Sequence, residues 1–323
     1  MLMLSDIVVV ENLSKRYRKE KSREYITALK SVSFKVKRGE IFAIMGPNGA
    51  GKTTMLKILS CVIRPDSGDA WVYGYHIIRD RAKAKSASNL IIGGSWIGLH
   101  YAYTVRRNLI FFGKLFGLPD NVIGERIKEA IELLDLKDII DKEAIFLSTG
   151  ERHRAILAKM LLIRTPVLFL DEPTRSLDPV LANKVRFLLS NLISKEYGIT
   201  VVMTSHQAVE VETIADRVAL LNKGRIIACD TPENLRRRIN KLEKLVVRIK
   251  GNLRIKPQDV EAEDVKYSED SIEIICRDSE SVIPKLLSLA KANGARVVGI
   301  QVERPSLEDV FKELVGGSHG INE

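Results

Sequence analysis

The sequence predicts an α/β fold with a core of buried strands, followed by a small α+β domain. Three observations predict it. Apolar runs at 41–45, 167–170 and 201–203 each end in a glycine-rich loop or in polar residues. Runs of this length, closed by such signals, are strands covered on both faces. Helical periodicity fills 96–146, between the first run and the second. Beyond Leu235 the pattern becomes short strands alternating with helices.

Taken in order, MLMLSDIVVVENL at the start reads as the first strand. It has neither the basic start nor the cleavage site of a signal peptide. Residues 7–78 read as a strand-rich lobe that includes the buried strand Ile41–Met45. The next residues, GPNGAGKTT (46–54), fit G-x-x-x-x-G-K-[ST], with Gly46, Gly51, Lys52 and Thr53 in the fixed places. Gly46, Gly49 and Gly51 let the backbone turn so that its N–H groups point at phosphate oxygens. Lys52 supplies a point charge for the β- and γ-phosphates, and the Thr53 hydroxyl can ligate Mg²⁺. Thr54–Leu59 reads as a helix whose N-terminus faces the phosphates.

Within the helical stretch, Ile123, Ile127, Ala130, Ile131 and Leu134 form one apolar stripe, with Asp120 as its cap. LSTGERHR (147–154) precedes a helix expected over Ala155–Ile163. VLFLDE (167–172) is a buried strand ending in two carboxylates. Asp171 would hold Mg²⁺, directly or through water, and Glu172 would orient or deprotonate an attacking water. TRSLDP (174–179) follows at once, and VVMTSH (201–206) is another apolar strand, ending at His206. In the second domain, strands are expected at 245–249, 271–276 and 296–302, and helices at 281–293 and 306–315. Ser306 and Asp309 have the spacing of a capping box.

Composition narrows the classes. The chain has 323 residues, 45% hydrophobic and 28% charged, which suits two domains. No apolar run reaches the length of a membrane span; the best, Ala155–Ile163, is short and broken by Lys159. Cys61, Cys229 and Cys276 are scattered, which argues against a disulfide framework or a zinc site and for a reducing cytoplasm. The net charge of +10 is local: residues 1–38 carry ten basic and four acidic side chains, and 236–250 carry seven and one. Lys15, Arg16, Arg18, Lys19, Lys21 and Arg23 read as a hairpin tip. Arg236, Arg237, Arg238, Lys241 and Lys244 read as an interdomain hinge. Both clusters read as solvated surface or as attraction to an anionic membrane or nucleic acid. Tyr17 apart, aromatics are not interleaved with them as base stacking requires.

The order of the loop, LSTGERHR, VLFLDE, TRSLDP and VVMTSH resembles the nucleotide-binding subunit of an ABC transporter over about residues 7–235. The resemblance implies a P-loop NTPase of ABC type, with a mixed β core and a helical subdomain at about 96–160. It implies a first domain at 1–235, a basic linker at 236–244 and an accessory α+β domain at 245–323. Gly46 to Thr54, with Asn48 and Gly49 among them, fall on the Walker A loop, and Asp171 and Glu172 on the end of Walker B. Ser148, Thr149, Gly150 and Glu151 fall on the signature loop. Ser176, Leu177, Asp178 and Pro179 fall on the D-loop, His206 on the switch histidine and Tyr17 on the adenine-stacking aromatic. ATP and Mg²⁺ are the implied cofactors. Two copies, or a pair of such subunits, would close head-to-tail on two ATP molecules and drive an integral membrane subunit from the cytoplasmic face. Trp96, His100 and Tyr103 are candidates for that contact. RPSLEDVFKELV (304–315) resembles the C-terminal extension of the drug and antibiotic exporter group, so export is expected. The alternative is a soluble ATPase acting on ribosomes or nucleic acid; a single cassette without a long coiled coil weighs against it.

Two departures stand out. The segment LIIGGSWIGLHYAY (90–103) lacks the glutamine of the family's Q-loop, and Ser95 takes its place, give or take one residue. A serine hydroxyl is shorter than a glutamine amide and reaches Mg²⁺ through water; alternatively another local loop does the same work. Glu151 stands where glutamine is commonest, near a partner's triphosphate unless it turns toward Arg152 or Arg154. Slower, less Mg²⁺-sensitive hydrolysis is expected, and Ser95→Gln should raise both turnover and its Mg²⁺ dependence. Unchanged values in a magnesium titration of ATPase rate would remove the role given to Ser95.

Overall fold

The computed structural model describes residues 6–18, 24–92, 98–175, 177–239, 242–251, 253–268 and 271–316. The chain divides into two units, Met1–Pro232 and Glu233–Glu323. The first begins with β1 (Asp6–Arg18), β2 (Tyr25–Lys37), β3 (Ile41–Met45), α1 (Lys52–Leu59), β4 (Ser67–Val72), β5 (Tyr75–His76), α2 (Arg81–Ser86) and β6 (Ser88–Ile92). It continues through α3 (Val105–Leu115), α4 (Asp120–Leu134), α5 (Thr149–Ile163), β7 (Val167–Asp171), α6 (Pro179–Phe187), β8 (Thr200–Ser205), α7 (Ala208–Ile214), β9 (Arg217–Asn222) and β10 (Arg225–Asp230). The short helix α8 (Pro232–Arg237) spans the boundary between the units.

Two sheets build this unit. β2-β1-β4-β5 is antiparallel. Along β2, Val32, Phe34 and Val36 are buried while Ser31, Ser33, Lys35 and Lys37 are exposed. Such alternation gives the sheet one face in the core and one in solvent. β10-β9-β3-β8-β7-β6 is the second sheet, parallel except for β10. Every residue of β3, β7 and β8 is buried, as strands covered on both faces require. The sheets meet where Phe34 stacks on Phe42, centroids 5.1 Å apart. The β1–β2 hairpin pairs out to Arg18↔Tyr25, so Arg16 and Arg18 stand near its tip. Lys19, Lys21 and Arg23 lie outside the described residues, as does Lys241.

α3, α4 and α5 pack together as the helical region. Ile123, Ile127, Ala130 and Leu134 of α4 are buried as expected, while Ile131 is half-buried. Pro119, not Asp120, holds the cap position; Asp120 sits in the first turn, where its charge favours the helix N-terminus. α5 begins at Thr149, six residues before the expected Ala155. Its opening turn is fixed by capping rather than by apolar periodicity: Ser148 Oγ accepts the Glu151 N–H, and Glu151 Oε2 accepts the Ser148 N–H at 2.6 Å. Fully buried Asn108 organises the preceding loop. It donates to the carbonyls of His100, Tyr103 and Thr104 and accepts the His100 N–H at 2.6 Å. His100 then stacks on Tyr103, centroids 4.2 Å apart. Trp96 lies outside the described residues. Among the described residues no helix is long and apolar enough to cross a membrane.

The second unit contains β11 (Glu243–Lys250), α9 (Pro257–Val260), β12 (Asp264–Tyr267), β13 (Ser271–Cys276), α10 (Ser279–Ala292), β14 (Arg296–Glu303) and α11 (Leu307–Gly316). Its sheet, β12-β13-β11-β14, is antiparallel throughout. Leu245, Val247, Ile272, Ile274, Val282 and Leu286 lie in a core of its own. β12 and α9 were not expected, because four-residue elements give too little pattern to read. Within the expected 236–244 linker, α8 runs to Arg237 and β11 starts at Glu243, while residues 240 and 241 lie outside the described residues. Ser306 and Asp309 form their capping box, with the Ser306 N–H 3.0 Å from Asp309 Oδ2 and the Asp309 N–H 3.2 Å from Ser306 Oγ. All three cysteines are free thiols.

Lys159 is buried in α5, with Nζ 3.3 Å from the Gly98 carbonyl and 4.3 Å from the centre of the Phe112 ring. Burial pushes its ammonium down to about 8. The unfolded chain keeps that proton to higher pH, so the lost stability returns as pH rises through this range. Lys159→Met should therefore stabilise the chain by ~1–2 kcal/mol near neutral pH. The gain should shrink above about pH 8 as the wild-type lysine deprotonates. Urea unfolding at several pH values measures it, and a gain independent of pH contradicts it.

Candidate functional site

The site is assembled by strand register. β8 lies between β3 and β7. Met45 pairs with Ser205, and Thr204 pairs with Asp171, so the three carboxyl ends stop at one level. The phosphate-loop residues, the two carboxylates and His206 follow those ends directly, where ligands of parallel α/β sheets bind.

The loop needs its glycines for closeness as well as for turning. A Cβ on Gly46 would stand 2.1 Å from the Leu221 carbonyl oxygen. Gly51 has φ of 111°, and a Cβ there would stand 2.3 Å from the Ala28 oxygen. Asn48 and Gly49 form the exposed tip. Gly51 also precedes α1 without offering a side-chain cap, so the first-turn N–H groups of Lys52, Thr53 and Thr54 face the loop as anion donors. Lys52 is buried and folded over the loop, with Nζ donating to the Gly46 carbonyl at 2.7 Å and the Pro47 carbonyl at 3.1 Å. Burial pushes its ammonium down, while Glu172 and Asp171 pull it back up. The donors and the cradle fit a polyphosphate.

Asp171 is held by two hydroxyls: Thr53 Oγ1 donates to Oδ2 at 2.8 Å and Thr204 Oγ1 donates to Oδ1 at 2.5 Å. A hydroxyl and a carboxylate beside a phosphate cradle are the hard oxygen set that suits Mg²⁺. Glu172 takes a left-handed backbone, φ 49°, stabilised by its N–H bond to the Thr204 carbonyl at 3.1 Å. Such strain collects at functional sites. Its carboxylate receives His206 Nδ1 at 3.0 Å on Oε1 and Arg175 Nη1 at 3.0 Å on Oε2. Lys52 Nζ stands 3.9 Å from Oε1. Lys52, Thr53, Asp171, Glu172 and His206, drawn from three separated segments, thus form one cluster.

The other expected residues lie elsewhere. Ser148 and Gly150 open α5, and the Ser148 hydroxyl is engaged by the Glu151 N–H. Glu151 turns to Ser148 and to Lys142, 3.2 Å away, rather than to Arg152 or Arg154. The Ser148 N–H holds its carboxyl below the usual carboxylate range. Asp178 caps α6, accepting the N–H groups of Val180 and Leu181 at 3.0 Å each. Tyr17, 40% exposed near the end of β1, carries Lys15 Nζ 5.7 Å from its ring centre. Ser95 and Ser176 lie outside the described residues.

Three residues of the site were missed from sequence. Thr204 donates to the Asp171 carboxylate and accepts the Glu172 backbone N–H, and its only signal was its place in VVMTSH. Glu210 of α7 accepts the buried Thr174 hydroxyl at 2.6 Å and so pins the turn after Glu172. Arg175 carried no signal beyond standing three residues past Glu172.

Known proteins match this geometry and order. Residues 29–175 match the ABC transporter family, and 231–315 match the C-terminal domain of DrrA1-3-like ATP-binding proteins. The linearmycin resistance ATP-binding protein LnrL of Bacillus subtilis (strain 168) is 31% identical over 317 residues, spanning 95% of this chain and 97% of that protein. This chain belongs to the ABC transporter ATP-binding family. Daunorubicin resistance ATP-binding protein DrrA2 of Streptomyces coeruleorubidus is 32% identical, across 96% of this chain and 95% of that protein. The dimeric, post-hydrolysis structure of the ATP-binding cassette MJ0796 with ADP and Pi superimposes with a TM-score of 0.62 at 26% identity, over 69% of this chain and 98% of that one. The P-loop fold with its accessory α+β domain is therefore that of an ABC ATPase, and the chain is the ATP-binding, ATP-hydrolysing subunit of a transporter.

Thr204→Val in this ABC ATPase keeps the shape of the side chain and deletes its hydroxyl. Asp171 Oδ1 loses its donor inside a buried site, which should cost ~1–3 kcal/mol of stability. ATP turnover should fall with it. Denaturant unfolding and a phosphate-release assay measure the two effects, and wild-type values in both contradict the role given to Thr204.

Proposed function

We propose that this subunit works in pairs, with Mg²⁺, and powers export through a separate integral membrane subunit from the cytoplasmic face of the cell membrane. The observation that carries the catalytic part is the Glu172 carboxylate, hydrogen-bonded to His206 and 3.9 Å from Lys52 at the ends of adjacent strands. Lys52, with the loop and α1 N–H groups, would bind the β- and γ-phosphates of ATP. Thr53 and Asp171 would hold Mg²⁺, which supplies charge neutralisation on those phosphates when bound. Glu172 takes a proton from water as the water oxygen bonds to the γ-phosphorus. The bond to the bridging oxygen breaks, and ADP leaves with its electron pair. His206 braces the base and is placed to report loss of the γ-phosphate. Tyr17 offers a half-exposed ring for adenine.

Pairing is supported by the second anion-type site in the same chain, the α5 N-terminus with Ser148 and Gly150, which would close on the nucleotide of another subunit. The Asp178 turn would join that interface. The relative cassette MJ0796 is described as dimeric. Export is supported by the relatives' descriptions, linearmycin resistance, daunorubicin resistance and Nod factor export. A membrane subunit has a fitting surface in the helical region. His100, Tyr103 and Phe111 form one aromatic cluster, bordered by exposed Tyr101, Ile145 and Phe146. Nucleic acid is disfavoured as partner, since the relatives are described by drug resistance and export.

Glu172→Gln preserves size and removes the base. It should bind ATP with near wild-type affinity, lower turnover at least about hundredfold, and accumulate as an ATP-bound dimer. Size-exclusion chromatography with ATP, alongside phosphate release, reads both. Rapid hydrolysis by this variant overturns the assignment.

A further inference from the structure

The geometry points to Arg175 as a positioning residue for ATP hydrolysis, one that holds the Glu172 carboxylate in its working orientation against the pull of Lys52. This rests on the reading of Glu172 as the general base.

The arginine is delivered by a fixed turn. Its N–H bonds to the Glu172 carbonyl at 3.1 Å, with Pro173 at the second position, where its ring pre-sets the backbone. Thr174, between them, is buried and tied to Glu210 at 2.6 Å. The guanidinium therefore starts from an anchored backbone and meets Glu172 Oε2 at 3.0 Å. Its side chain is 60% exposed and that of Glu172 11%, so the cation stands at the rim and the carboxylate inside.

The carboxylate needs holding. Its last torsion is broad and two-fold, so a lone contact leaves the plane free to turn. His206 holds only Oε1, the same oxygen that faces Lys52 Nζ at 3.9 Å. Without a donor on Oε2, the carboxylate is free to rotate and close on the lysine that must bind phosphate. With Arg175 in place, each oxygen has one donor. A carboxylate has about four acceptor sites, so each oxygen keeps one for the attacking water.

The test is steady-state ATP turnover by the full chain. Arg175→Ala should lower kcat about ten- to hundredfold, the size of a small misplacement at a reacting group. KM for ATP should stay unchanged. Arg175→Lys, or guanidinium chloride added to Arg175→Ala at low concentration, should restore part of the rate. Wild-type kcat in Arg175→Ala overturns the inference. So does a raised KM at unchanged kcat, which would place the guanidinium on the triphosphate. A lost rate that neither lysine nor guanidinium restores also overturns it, as a merely structural effect. Glu172→Gln separates the two readings. If it hydrolyses ATP at the wild-type rate, the base assignment itself falls; if it is inactive while Arg175→Ala is normal, only the role of Arg175 falls.

Discussion

The parallel pairing of β8 between β3 and β7 is the constraint on which the rest depends. It brings together three segments that are far apart in sequence, around positions 46, 171 and 206. The alignment is held by backbone ladders and by side chains buried on both faces, a combination that resists slippage. Shifting one strand by a residue would turn every side chain to the opposite face. Thr204 would then point away from Asp171, and the apolar residues of β8 would exchange the layers they pack against. Packing and chemistry thus enforce the same register.

Supporting side chains refine that frame. Hydroxyls from two segments aim Asp171, and His206 and Arg175 flank Glu172. Glu151 shows how a departure from the family's residue type is accommodated. Its carboxylate is used up by the first turn of α5 and by Lys142, so the charge is directed inward to its own helix. Asn108 does comparable work in the helical region, where one amide satisfies several backbone groups and shapes the loop bearing His100 and Tyr103.

Much of this was legible because it is local. The glycines, Lys52 and Thr53 lie within one turn of chain, and the Asp171–Glu172 pair ends an unmistakable apolar run. His206 needed only the end of a third such run. Thr204, Glu210 and Arg175 were not legible, because their meaning comes from the neighbouring strand, a distant helix and a tight turn, none of which leaves a periodic trace. The start of α5 escapes apolar spacing for a related reason: its first turn is polar and fixed by capping. In the second unit, long alternating strands were readable and the four-residue β12 and α9 were not.

The second unit encloses its own apolar cluster beneath its own sheet, separate from the cluster around Phe42 and Phe169 in the first. Each is therefore equipped to melt as a cooperative body in its own right. A thermal scan of the whole chain has two transitions to report, and a single midpoint would average them. Damage confined to residues 243–316 can then leave the ATPase unit folded and turning over while only the second unit is denatured.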